Sequence, residues 1–382
     1  MKRPRSAKKK QFPTARPYIG KKEERYVLQV LRSGILSIGP FIERFEKAFA
    51  KKLGVKYACA VSSGTAGLHL SLIAAGIKAG DEVITSPFTF VASGNAILYV
   101  GAKPVFCDID PKTYNMDTGD IVRRITSKTR AIMPVHIFGQ PANMGAIMRI
   151  AKKHKLLVIE DACESLLAEY KGEKTGTFGK SAVFAFYANK QMTTGEGGMI
   201  VTNDAKINEL CRSLRNQGRA PNMQWLDHDR LGYNYRMDEM SAALGLAQIE
   251  NIDFLITKRR EVASWYNEAL SPLADHIVLP YTAPRATHTW FVYVISIRNP
   301  MIDRDKVITE LAKKGVQTKP YLPSIHLFEF YKKMGHKTGE FPVSEDLSKR
   351  TLALPFYIGL TKKDTGNIAK TLREVIEKYE RN

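Results

Sequence analysis

From Tyr57 onward, short apolar runs alternate with helix-period segments, and this alternation restricts the fold more than any other feature of the chain. It predicts strands at Tyr57–Val61, Glu82–Thr85, Pro104–Asp108, Ala131–Ile137 and Leu156–Glu160. Between them it predicts helices over Thr65–Ala75, Ala92–Val100 and Met144–Lys153. Strands joined by helices form a mainly parallel sheet with helices on both faces, so the expected class is α/β. Residues 1–18 read as a basic tail and entry arm, and 19–255 as a large domain. A long helical stretch, Met237–Leu270, reads as a rod leading into a smaller C-terminal α+β domain over 256–382. There, strands are expected near Phe291–Ile295 and Val316–Lys319, and helices near 303–314 and 362–379.

A chain of 382 residues with 44% hydrophobic and 25% charged content can bury two cores and has the make-up of a soluble protein. No apolar run reaches the ~18 residues of a membrane helix, and the basic N-terminus lacks the apolar segment of a secretory signal. Cys59, Cys107, Cys163 and Cys211 lie far apart and form no CxxC pair. Neither a metal site nor a disulfide framework is therefore expected, and a reducing cytoplasm fits.

The net charge is +20, and six of the positive charges fall within the first ten residues. Others are scattered, as at Lys313-Lys314 and Lys362-Lys363. A nucleic-acid binder gathers its charge into a stripe with interleaved aromatics, so no nucleic-acid partner is expected. A positive field also draws small anionic substrates.

The chemistry is written at the ends of the predicted strands, where ligands of open α/β sheets gather. The aromatic run Phe184–Tyr187 leads to Lys190, and the cluster Thr194–Gly198 then opens a second short strand. Burial disfavours an ammonium, and an amine that can lose its proton is the nucleophile that forms a Schiff base. The other reading of Lys190 is a solvated loop lysine.

Three further residues or clusters stand in its company. Ser62–Gly67 follows a strand and opens a helix, so small residues and free N–H groups there can take a phosphate; such residues are also common at any strand-to-helix turn. Asp161 follows a strand, where a carboxylate can keep a pyridine nitrogen protonated or simply cap a helix. Phe90 ends the segment after Glu82–Thr85 and can stack on a flat ring or pack in the core. Phosphate cradle, ring stacker, pyridinium partner and amine together specify pyridoxal 5'-phosphate as the cofactor.

These motifs resemble the nucleotide-sugar aminotransferases of the DegT type, within the aspartate-aminotransferase (fold type I) superfamily, from about Arg16 to the C-terminus. The resemblance is carried by Gly34–Pro40, Ser63–Thr65, Gly80–Val83, Thr89–Ala92 and Gly101–Val105. Further on it rests on Pro134–His136, Glu160–Ala162, Lys190 with Thr194–Gly198, and Gly232–Met237. It implies that Lys190 binds the cofactor and shuttles a proton, that Asp161 pairs with the ring nitrogen, and that Phe90 stacks on the ring. It assigns the phosphate to Gly64, Thr65 and Ala66. Asn234 would reach the phosphate of a neighbouring subunit, which implies a homodimer with shared sites.

Two positions depart from the family pattern. Ala185 stands where a phosphate-contacting serine is common, and Glu164 stands where His or Gln is common near the ring hydroxyl. The expected activity is amino transfer from L-glutamate to a keto group of a nucleotide-linked sugar, first a 4-keto-6-deoxyhexose. A 3-keto sugar or a cyclitol precursor is the alternative. His228, Arg230, Lys319, Tyr321 and His326 are candidate substrate contacts, with structural roles for the two histidines as the other reading. A dehydratase on this scaffold would carry histidine at position 190, and a sulfur-handling lyase would need a reactive cysteine. A non-catalytic regulator on the same scaffold is the third rival.

Overall fold

The computed structural model describes residues 10–220 and 227–380. A seven-stranded sheet organises the large domain. Its strands are β1 (Tyr57–Val61), β2 (Glu82–Thr85), β3 (Lys103–Phe106), β4 (Thr129–Ile132), β5 (Leu157–Asp161), β6 (Ser181–Ala185) and β7 (Gly198–Thr202). They lie in the order β1-β7-β6-β5-β4-β2-β3, with β7 alone antiparallel to its neighbours. The fold is therefore α/β with a mainly parallel sheet.

The reason the strands read as continuous apolar runs is visible in their side chains. Ala58, Ala60, Ala182, Phe184, Met199 and Val201 enter one core, while Cys59, Val61, Val183 and Ile200 enter another. Alternate residues point to opposite faces, and both faces are dry. Helices α1 (Lys21–Ser33), α2 (Pro40–Leu53), α3 (Gly64–Ala74), α4 (Ala92–Tyr99), α5 (Thr118–Arg124), α6 (Met144–His154) and α7 (Ala205–Arg215) cover the sheet together with α8 (Glu239–Glu250). The central helix α3 is buried along most of its length. A Cβ on Gly67 would stand 2.6 Å from Cγ1 of Val183, so glycine is what lets α3 lie directly on β6.

The helical stretch expected over Met237–Leu270 is two helices, α8 and α9 (Ile252–Leu270). The chain leaves helical geometry at Asn251, with φ −111° and ψ 9°. Asparagine competes for its own backbone and tolerates this bridge conformation, which hydrophobic periodicity does not register. Leu255 and Ile256 of α9 join the large-domain core, whereas Val262, Ala263, Tyr266 and Leu270 join that of the small domain.

The small domain holds an antiparallel sheet of β8 (Ile277–Val278), β9 (Tyr293–Ile297), β10 (Lys319–Pro320) and β11 (Thr351–Leu354), in the order β8-β9-β11-β10. Its helices are α10 (Arg304–Lys313), α11 (Glu329–Lys333), α12 (Pro342–Arg350) and α13 (Lys362–Glu380). The strand expected at Val316–Lys319 begins at Lys319 instead.

Residues 1–9 of the expected tail lie outside the described residues, but the part from Lys10 onward is tied down. Phe12 is 7% exposed and bridges Val316, Lys10 pairs with Asp364 at 2.6 Å, and the Phe356 N–H donates to Thr14. A lone aromatic in a polar stretch gives little warning of such docking. Among the described residues no helix is long and apolar enough to cross a membrane.

Candidate active site

β1 and β6 flank β7, so Val61 and Ala185 face the same residue, Gly198, from either side. That register brings the N-terminus of α3 against the end of β6. A Cβ on Gly64 would lie 2.7 Å from Cβ of Ala185 and 3.0 Å from Sγ of Cys163. Ser63 caps α3 by accepting from the Ala66 N–H at 3.1 Å. The result is a tight cradle of small residues at the positive end of a buried helix, suited to a phosphate.

Asp161 closes β5. Its backbone is pinned by the Pro134 carbonyl at 2.9 Å and the His136 N–H at 3.0 Å. The carboxylate, 5% exposed, accepts from the Ser93 hydroxyl at 2.7 Å and the Cys163 N–H at 3.2 Å. Thr89 hydrogen-bonds Ser93 in turn at 2.8 Å. Among the described residues no Lys, Arg or His lies within ion-pair distance of Asp161, and its side chain is bonded to neutral donors. Such a group fits the protonated nitrogen of a pyridine ring. Phe90 stands three residues before Ser93 and is 62% exposed, unlike a core phenylalanine.

Lys190 follows β6 in a turn closed by its own N–H to the Tyr187 carbonyl at 2.9 Å. Its Nζ stands 3.4 Å from Oε1 of Glu164 and 4.0 Å from the centroid of the Phe291 ring. Glu164 also accepts from the Phe138 N–H at 2.8 Å. Burial pushes the Glu164 carboxyl up and the charge of Lys190 pulls it back. Asp161, Lys190 and Glu164 all act on the Cys163 thiol, which burial and the two carboxylates push well above its ordinary range. Glu164 thus links the Lys190 amine to the segment that follows β5, whose Cys163 N–H is bonded to the Asp161 carboxylate.

Behind them, His136 and Glu160 form a fully buried pair, Nε2 to Oε2 at 3.0 Å. His136 Nδ1 accepts from the Ala142 N–H, so Nε2 carries the hydrogen that Glu160 receives. Glu160 also collects the N–H groups of Gly176, Phe178 and Gly179. This pair ties the segments at 136–142 and 176–179 to the end of β5, which carries Asp161.

The remaining candidates separate into three places. Tyr321 packs its ring against Phe138 and Phe291 at centroid distances of 5.8 and 6.2 Å, beside Glu164, and burial drives its hydroxyl far upward. Lys319 is exposed two residues earlier. His228, Arg230 and Asn234 share an exposed arm built on the bridges Arg219–His228 and Asn216–Asn234, part of which, 221–226, lies outside the described residues. On that arm His228 bonds the Gln217 carbonyl at 3.0 Å and Arg230 pairs with Asp229 at 2.7 Å. His326 is 0% exposed, with Ser324 at 2.9 Å from Nδ1 and Glu345 at 3.1 Å from Nε2. Both of its ring nitrogens are engaged by these neighbours, as the structural reading of this histidine has it.

Sequence reasoning missed Ser93 and Phe291, whose positions matter only once distant segments meet. Thr89 and Ser93 are one helical turn apart, the only hint of their shared contact.

The chain matches the DegT/DnrJ/EryC1/StrS aminotransferase family over residues 17–373. It is 40% identical over 364 residues to the GDP-perosamine synthase of Caulobacter vibrioides, covering 95% of this chain and 97% of that protein. Among solved structures, DesV of S. venezuelae superposes with a TM-score of 0.87 at 33% identity, over 93% of this chain and 94% of that one. Helicobacter pylori PseC, an aminotransferase involved in the biosynthesis of pseudoaminic acid, gives 0.92 at 29% identity, over 97% and 100%. The chain belongs to the DegT/DnrJ/EryC1/StrS aminotransferase family, the nucleotide-sugar aminotransferases its motifs resemble, and is a pyridoxal-phosphate-dependent transaminase.

Proposed function

We propose that this enzyme moves the amino group of L-glutamate to the keto carbon of a nucleotide-linked 4-keto-6-deoxy sugar. The observation that carries the reading is the buried carboxylate of Asp161, bonded among the described residues only to neutral donors, three residues before the Glu164 that meets the Lys190 amine at 3.4 Å. In this reading Gly64, Thr65 and Ala66 hold the cofactor's phosphate, Phe90 covers its ring, and Asp161 keeps a proton on the ring nitrogen. The cofactor, when bound, supplies an electron sink and a carrier for the amino group. The Lys190 amine is the nucleophile that binds it, and once released it moves the proton between carbon atoms as general base and acid. Glu164 and Phe291 keep that amine in place.

The sugar rests on the relatives. Two proteins at 40% identity, from Caulobacter vibrioides and Escherichia coli O157:H7, are named for making GDP-perosamine, a nucleotide-linked amino sugar. The net charge of +20 suits two anionic substrates.

A homodimer completes the reading. Leu28, Leu31, Ile35, Leu36 and Ile38, on α1 and the turn after it, are all roughly half exposed. So long an apolar face suits a partner subunit. Asn234 on its exposed arm is then free to reach the neighbour's phosphate cradle. The setting proposed is the cytoplasm.

The test is a panel: glutamate with nucleotide-linked 3- and 4-keto sugars, the amino sugar detected by mass. Product from the 4-keto sugars supports the reading. Product from the 3-keto sugars alone, or from none, contradicts it.

A further inference from the structure

Arg259 lies on α9, the helix shared by the two domains, and is 5% exposed. Among the described residues it has no carboxylate within ion-pair distance. Burial alone lowers its pKa to about 10. Its guanidinium instead bonds three carbonyls: Lys190 at 2.9 Å, and Trp290 and Phe291 at 3.2 Å each. The Phe356 ring lies 5.6 Å away, and Nε has no partner among the described residues. A buried cation without a counter-charge is costly, and hydrophobic side chains of similar volume usually serve stability as well or better. Stability alone therefore gives a weak reason for arginine here.

The geometry supplies another. The three carbonyls come from two segments that meet at the site. One is the turn carrying the Lys190 amine. The other leads into β9 of the small domain and carries the Phe291 ring, 4.0 Å from that amine. A planar fork with several fixed donors can hold both segments at once, which a single ammonium does poorly.

We propose that Arg259 is a positioning residue for Lys190: by clamping the Lys190 carbonyl to those of Trp290 and Phe291, it sets where the amine stands and ties that position to the small domain. The inference rests on the reading of Lys190 as the residue that binds the cofactor.

The experiment compares R259M, R259K and K190A with the unmodified enzyme. Each is freed of cofactor and mixed with pyridoxal 5'-phosphate. Absorbance gives the rate at which the covalent bond forms, and borohydride trapping with mass analysis gives its place. R259M is expected to unfold in one cooperative transition, to form the bond about tenfold more slowly, and to lose about tenfold in kcat with KM for glutamate little changed. R259K, keeping the charge and some donors, recovers only part of the rate. A folded R259M that reacts at the unmodified rate overturns the clamp. Should R259M not fold, R259K decides alone: a slowed reaction supports the clamp and an unchanged one refutes it. K190A is expected to form no bond, and a bond formed there defeats the reading of Lys190, separately from the clamp.

Discussion

The Ser93 hydroxyl donates to Oδ2 of Asp161 at 2.7 Å, at a buried carboxylate with no cation within ion-pair distance among the described residues. A hydrogen bond to a charged group contributes about 1.5–3 kcal/mol, so S93A should weaken pyridoxal phosphate binding by roughly ten- to a hundredfold. Titration of the cofactor absorbance measures this. D161N, which keeps the shape and loses the charge, should lower kcat by about 10²-fold or more with little change in melting temperature.

The contact between Gly64 and Ala185 leads to a pair of opposite expectations. G64A places a methyl 2.7 Å from the Ala185 Cβ and should spoil the cradle. A185S adds a hydroxyl at the same place and should tighten cofactor retention by about tenfold, one hydrogen bond to a charged group. Dialysis followed by measurement of remaining cofactor separates the two. Loss of cofactor from A185S would remove Ala185 from the phosphate end of the site.

Gly67 gives a stability test independent of the cofactor. A methyl there meets Val183 at 2.6 Å and must push α3 off β6. Overpacking of a dense core costs about 1–3 kcal/mol, so G67A should lower the denaturation midpoint accordingly.

His288 predicts part of the acid limb of stability. It stacks on Trp290 at 3.9 Å, its Nδ1 accepts the Trp290 N–H at 2.9 Å, and burial lowers its pKa from 6.5 to about 3. Below pH 6.5 the unfolded chain takes up a proton that the folded one refuses until about pH 3, so stability falls as pH drops through that window. H288Q keeps an acceptor and cannot take up the proton. Its melting temperature should lose less between pH 6.5 and pH 4 than that of the unmodified protein, whatever its stability at neutral pH. Parallel curves would show that His288 does not carry the effect.

The large domain was legible because its strands are buried on both faces, as Ala182, Val183 and Phe184 illustrate by entering cores on alternate sides. Asp161 and Lys190 were legible as candidates because chemistry-bearing side chains at strand ends interrupt otherwise apolar runs. The small domain is less legible. Its central strand β11 follows α12 with no turn residue between them, and α11 spans only Glu329–Lys333. The break at Asn251 and the docking of Phe12 are tertiary events with almost no local signature. Ser93, Phe291 and Arg259 were missed for a related reason: each acts through a residue at least 68 positions away in sequence.

The most direct measurement is the mass of peptides from enzyme loaded with pyridoxal 5'-phosphate and reduced with borohydride. A single modified peptide is expected, with the added group on Lys190, lost in full when glutamate is supplied before reduction. Modification of a different lysine, or none at all in a folded and loaded protein, would contradict it.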